Sequence, residues 1–119
     1  MADYVTTHKD DSRIAVCFYN ENDKPFSIGE KMNEINAYAY MNGYNWDAFF
    51  KYYLAQNAPE LLEGLIGDPE AGCYIAYYAL SDENEKKAKR FAEMIVSLIE
   101  NEQELYDIIR EHGNGIEWN

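Results

Sequence analysis

The sequence predicts an α+β fold: a small, mostly antiparallel sheet of about three or four strands packed with helices, in the order β-β-α-α-α-β-α-α. Three observations predict it. The runs at 13–19 and 73–80 are short, apolar and bounded by turn residues, as strands are. Apolar residues recur at helical spacing after residue 45 and again after residue 81. Strands and helices come in blocks, not in the alternation that a doubly wound parallel sheet needs.

The 119 residues amount to one domain, 1–119, large enough to bury a core without disulfides or metal. Residues 1–11 are polar and read as a flexible lead-in, and 113–119 read as a tail. Arg13-Ile14-Ala15-Val16-Cys17-Phe18-Tyr19 is the first strand. Asn20 to Lys24 is turn chemistry, and Pro25-Phe26-Ser27-Ile28 can return as an edge strand with Pro25 at its start, giving a hairpin. From Gly29 to Met41 two patterns compete. Met32, Ile35 and Ala39 fit a helix, whereas Ile35, Ala37, Ala39 and Met41 fit a strand; the helix is preferred.

The next helix is capped by Asn45 and runs to about Asn57, with Trp46, Phe49, Phe50, Tyr53 and Leu54 on one face. Pro59 opens a short helix whose core face is Leu61, Leu62, Leu65 and Ile66. Asp68 to Gly72 is a turn, and Cys73 to Leu80 is the best strand of the chain. Ser81 caps a long helix lined by Ala88, Phe91, Ala92, Ile95, Leu98 and Ile99. Asn101 and Glu104 match a capping box for a last helix with Leu105, Ile108 and Ile109 inward and Gly113 at its end.

Charge narrows the function classes. Asp and Glu number 22 against 10 Lys and Arg, a net charge of −12. Nucleic acids and anionic membranes are held by Lys and Arg, so neither is an expected partner. A basic partner is. A hydrophobic fraction of 47% is too high for a disordered acidic tail. No stretch is apolar enough to span a bilayer and the first residues carry no leader pattern, so the cytoplasm is the expected location. The two cysteines, Cys17 and Cys73, sit in apolar runs and read as reduced core residues.

No reaction constellation stands out. No Cys-x-x-Cys or His-x-x-x-His spacing and no glycine-rich phosphate loop occurs, so no catalytic, cofactor or metal residue is expected. His112 near a helix C-terminus is accounted for by the helix dipole. Carboxylate pairs such as Asp82-Glu83 stabilise a helix start in the same way. Two other classes remain in play: a small carboxylate-based hydrolase, which needs two acids of separated pKa across a cleft, and an acidic nucleic-acid mimic. The tyrosines at 38, 40, 44, 74, 77 and 78 are explained first by packing and second by partner contact, for which tyrosine is well suited.

Asn42-Gly43-Tyr44-Asn45-Trp46, then Asp68-Pro69-Glu70-Ala71-Gly72, an aromatic strand and a capped helix together resemble the immunity protein 51 family of bacterial polymorphic toxin systems. The likeness spans about residues 13–110, with Asn45 standing where an acid is common. It implies a non-catalytic cytosolic protein that binds and neutralises a cognate toxin domain. Many such toxins are nucleases, whose basic surfaces an acidic inhibitor complements. The candidate toxin contacts are Glu21, Asp23, Asp68, Glu70, Tyr74, Tyr78, Asp82 and Glu83. The motif residues Asn42, Gly43, Tyr44, Trp46, Pro69 and Gly72 are read as scaffold.

Overall fold

The two apolar runs form the centre of a four-stranded antiparallel sheet in the computed structural model, which describes residues 2–119. The strands are β1 (Val5–Lys9), β2 (Arg13–Phe18), β3 (Ile66–Gly67) and β4 (Tyr74–Ala79), in the spatial order β1-β2-β4-β3. The helices are α1 (Asp23–Ile35), α2 (Gly43–Asn57), α3 (Asp82–Glu100) and α4 (Glu102–His112). The α+β class holds, with the element order β-β-α-α-β-β-α-α.

The register of β2 on β4 sets Ile14 opposite Tyr78, Val16 opposite Ala76 and Phe18 opposite Tyr74. All six are buried beneath the helices. Ala15, Cys17, Ile75 and Tyr77 alternate onto the other, only partly covered face. There the Arg13 guanidinium stands 3.9 Å from the centre of the Tyr77 ring. Cys17 and Cys73 are free and half-buried, so neither is the core residue expected from its apolar run.

The hairpin partner of β2 is β1, not residues 25–28. β1 is an edge strand with only its start in the core, where Tyr4 and Val5 are buried. The rest, Thr6 to Lys9, is polar, so the segment looks like a lead-in. Asp10 closes the hairpin, its Oδ1 accepting from the backbone N–H groups of Ser12 (2.8 Å) and Arg13 (2.9 Å).

Pro25 to Ile28 belong to α1. Pro25 sits in the first turn, where a missing N–H costs nothing. Ile28, Gly29 and Met32 then bury one helical face, so the helical period overrides strand alternation. Helix ends at Ile35, and 36–42 is irregular. The α2 cap is Asn42 instead of Asn45. Asn42 Oδ1 accepts from the Asn45 N–H at 3.0 Å, and Asn45 is buried inside the helix.

Pro59 opens a single 3-10 turn (Pro59–Leu61), and Ile66 lies exposed in β3 instead of on a helical core face. α3 matches expectation: Ser81 Oγ accepts from the Asn84 N–H at 3.0 Å and the six predicted apolar positions are buried. The capping box of α4 does not form: the Asn101 N–H donates to the Ser97 carbonyl at 2.9 Å, and Glu104 Oε2 accepts from the Tyr53 hydroxyl at 3.1 Å. Gly113 keeps φ −54° and leads into a further 3-10 turn. The tail is docked: Ile116 is buried, Trp118 Nε1 donates to the Gly113 carbonyl at 2.9 Å and the Asn119 N–H to Asn45 Oδ1 at 2.8 Å.

α3 packs on β1, β2 and β4, and α2 packs on β4, which puts the core between the helices and one sheet face. Its centre is aromatic. Trp46 meets Phe18 edge-on with ring centres 4.9 Å apart and stacks on Phe50 at 5.5 Å; Phe50 meets Tyr74 at 4.8 Å and Phe91 at 5.5 Å.

Candidate interaction surface

The two motifs, 42–46 and 68–72, form one unit. The Gly43 N–H donates to the Ala71 carbonyl at 2.8 Å, and Asn20 Nδ2 donates to the same carbonyl at 3.3 Å. The start of α2 is therefore pressed against the turn between β3 and β4. The Asp68 N–H donates to the Ile75 carbonyl at 2.8 Å, so the backbone, not the Asp68 side chain, ties this turn.

The acids singled out from sequence are all exposed: Glu21, Asp23, Asp68, Glu70, Asp82 and Glu83. They do not form one patch. Glu21 leans over the β3–β4 turn, where a Cβ at Gly72 would stand 2.6 Å from its Oε1. Asp82 and Glu83 begin α3, beyond the opposite end of β4. Tyr74 and Tyr78 are not surface residues. Their strand face is the one the helices cover, and the Tyr78 hydroxyl donates to the Leu61 carbonyl at 2.6 Å inside the core.

The tyrosines that reach solvent lie elsewhere. Tyr38 is 73% exposed, Tyr40 67%, Tyr44 43%, and Phe26 on α1 47%. Between α1 and the 36–42 loop runs a groove of about 380 Å³ that Phe26 and Tyr40 line together with Glu21, Glu30 and Glu34. A larger groove of about 510 Å³ lies between α2 and α4, with Tyr53, Glu104, Asp107 and Glu111 in its walls. Its carboxylates are largely engaged. Glu104 accepts from Tyr53, and Asp107 accepts from Arg110 at 3.0 Å and Gln103 at 2.9 Å. Burial, with the Glu104 charge beside it, pushes the Tyr53 hydroxyl up to about 12.

The carboxyl groups with displaced acidities do not suit acid catalysis. Asp10, Glu60 and Glu100 are all held below the usual carboxylate range. Backbone N–H bonds do this for Asp10, a backbone bond and Arg90 for Glu60, and the Tyr4 hydroxyl with Lys24 for Glu100. A general acid needs the opposite displacement. Among the described residues no group of three or more His, Cys, Asp or Glu is placed to hold a metal ion, and no helix is long and apolar enough to cross a membrane.

The model of the family described as immunity protein 51 matches residues 5–114. The chain belongs to that family. No curated protein and no solved structure matches it. Within this immunity protein 51 chain, the joined motifs 42–46 and 68–72 are built into the backbone of the fold, with Trp46 fully buried and Gly43 in contact with the turn. Sequence reasoning singled out neither Phe26, which falls in the stretch expected as an edge strand, nor Glu30 and Glu34, which fall in the 29–41 stretch where the helix is preferred. The signal was available: 26, 30 and 34 recur every four residues opposite Ile28 and Met32, as the outward face of a helix does.

Proposed function

We propose that this chain is a non-catalytic immunity protein that acts in the cytoplasm. It binds and neutralises the cognate toxin domain of a polymorphic toxin system, and that domain is basic and nuclease-like. The observation that carries the reading is the combination of an immunity protein family match over residues 5–114 with a net charge of −12. A surface of that charge meets the phosphate-binding face of a nuclease with the complementary sign. This accelerates encounter and fixes orientation.

The test is co-expression with the toxin domain encoded in the neighbouring reading frame. Survival should return when this chain is supplied, and purified chain should abolish the toxin's nuclease activity at a one-to-one ratio. Rescue that requires far less than one equivalent would point to an enzyme acting on the toxin or its product, and no rescue would overturn the reading.

A further inference from the structure

We propose that the toxin docks at the groove between α1 and the 36–42 loop, and that its occupant is an arginine- or lysine-bearing segment of the toxin surface. This rests on the immunity reading above. Of the six large hydrophobic residues that stand exposed among the described residues, two line this groove, Phe26 and Tyr40, whereas Tyr38 lines a separate groove against α4. Two exposed rings in one groove of an otherwise acidic surface mark a contact site.

The rings are also held in advance. Ala39, between the two most exposed tyrosines, is fully buried. The Tyr40 carbonyl accepts from the buried Asn45 Nδ2 at 2.7 Å, the Ala37 carbonyl from Asn33 Nδ2 at 3.1 Å, and the Tyr38 N–H donates to Asn36 Oδ1 at 2.9 Å. The loop backbone is clamped while its tyrosine rings point away from the core. An aromatic side chain on a fixed backbone loses little entropy when a partner covers it.

Charge identifies the occupant. Glu21, Glu30 and Glu34 line the same groove, and none of them is in an ion pair among the described residues. In the wider α2–α4 groove, by contrast, two of the three acids, Glu104 and Asp107, are bonded internally. Unpaired carboxylates beside exposed rings suit a guanidinium or ammonium group, which a carboxylate can bond while a ring face stacks on it. Arg13 over Tyr77 shows the same pairing within the chain.

The experiment is calorimetric titration with the toxin domain from the neighbouring reading frame. It uses wild type, Tyr40→Ala, Tyr40→Phe, Glu30→Lys with Glu34→Lys, and Glu111→Lys with Glu117→Lys as a control of equal charge change. Melting curves establish that each variant is folded. Tyr40→Ala and the Glu30/Glu34 reversal should each weaken binding about tenfold or more, as at an interface hot spot. Tyr40→Phe and the control should stay within about threefold, as rim substitutions do. Tight binding by wild type and equally tight binding by the groove variants would overturn the groove and leave the immunity reading standing. Equal loss in the control would also overturn it, assigning recognition to net charge alone. No binding by wild type would overturn both.

Discussion

Gly43 and Glu70 touch through a space that holds no side chain: a Cβ at Gly43 would stand 1.7 Å from the Glu70 carbonyl oxygen and 2.9 Å from that of Cys73. Gly43 is the first residue of α2, and Glu70 lies in the β3–β4 turn. The contact explains why the two motifs sit together. It also makes a prediction whose sign separates local from tertiary physics. By helix propensity, alanine at this position should stabilise α2 by about 1 kcal/mol. By the contact, Gly43→Ala must push the turn away and should destabilise by about 1–3 kcal/mol or more. Urea unfolding decides between them, and a variant at least as stable as wild type would contradict the packing described.

Trp46→Ala should lower stability instead of selectively abolishing binding. The indole is fully buried among Phe18, Phe49 and Phe50, and its N–H has no acceptor among the described residues, so packing holds it. Truncating such a residue costs about 3–5 kcal/mol. Thermal melting of the variant tests this. An unchanged midpoint with lost toxin protection would make Trp46 a contact residue.

Stability should fall in alkali. Burial, opposed in part by the Arg90 charge, pushes the Tyr78 hydroxyl up to about 12, and burial pushes the Cys73 thiol up to about 11. Tyr74 is raised as well. In the unfolded chain a tyrosine ionises near pH 10. Above that pH the unfolded state therefore binds fewer protons than the folded one, and unfolding becomes easier with each further rise. The Tyr78 contribution is whole below about pH 10 and lost as pH climbs towards about 12. Unfolding free energies measured at pH 8, 9.5 and 10.5 should decline, and less steeply for Tyr78→Phe. That variant should already be about 1–3 kcal/mol weaker at pH 8, because it strands the Leu61 carbonyl.

Long elements with one strong period were legible in the sequence. β4, α3 and the inward face of α2 follow directly from alternation or from 3.6-residue spacing. Edge and boundary elements were not. β1 has one buried end and a polar remainder, so its composition matches a loop. α1 carries in its first turn a proline that a strand edge tolerates equally well, and the helix shows only in the longer spacing that sets 26, 30 and 34 opposite Ile28 and Met32. Of the candidate contacts, the acids are exposed as expected, whereas Tyr74 and Tyr78 are inward. Alternation told that they share a face, but which face the helices cover depends on β2 and α3. The groove itself joins residues 21, 26–34 and 40, and no local pattern spans that separation.

The central claim is that an acidic surface recognises a basic toxin, and stopped-flow association with the neighbouring toxin domain tests it most directly. The Debye length shrinks from about 10 Å at 0.1 M salt to about 3 Å at 1 M. The on-rate should fall steeply over that range while the off-rate changes little. Reversal to lysine of Glu21 with Asp23, next to the groove, should slow association more than reversal of Asp68 with Glu70 or of Asp82 with Glu83. An on-rate flat in salt and indifferent to all three reversals would contradict the account.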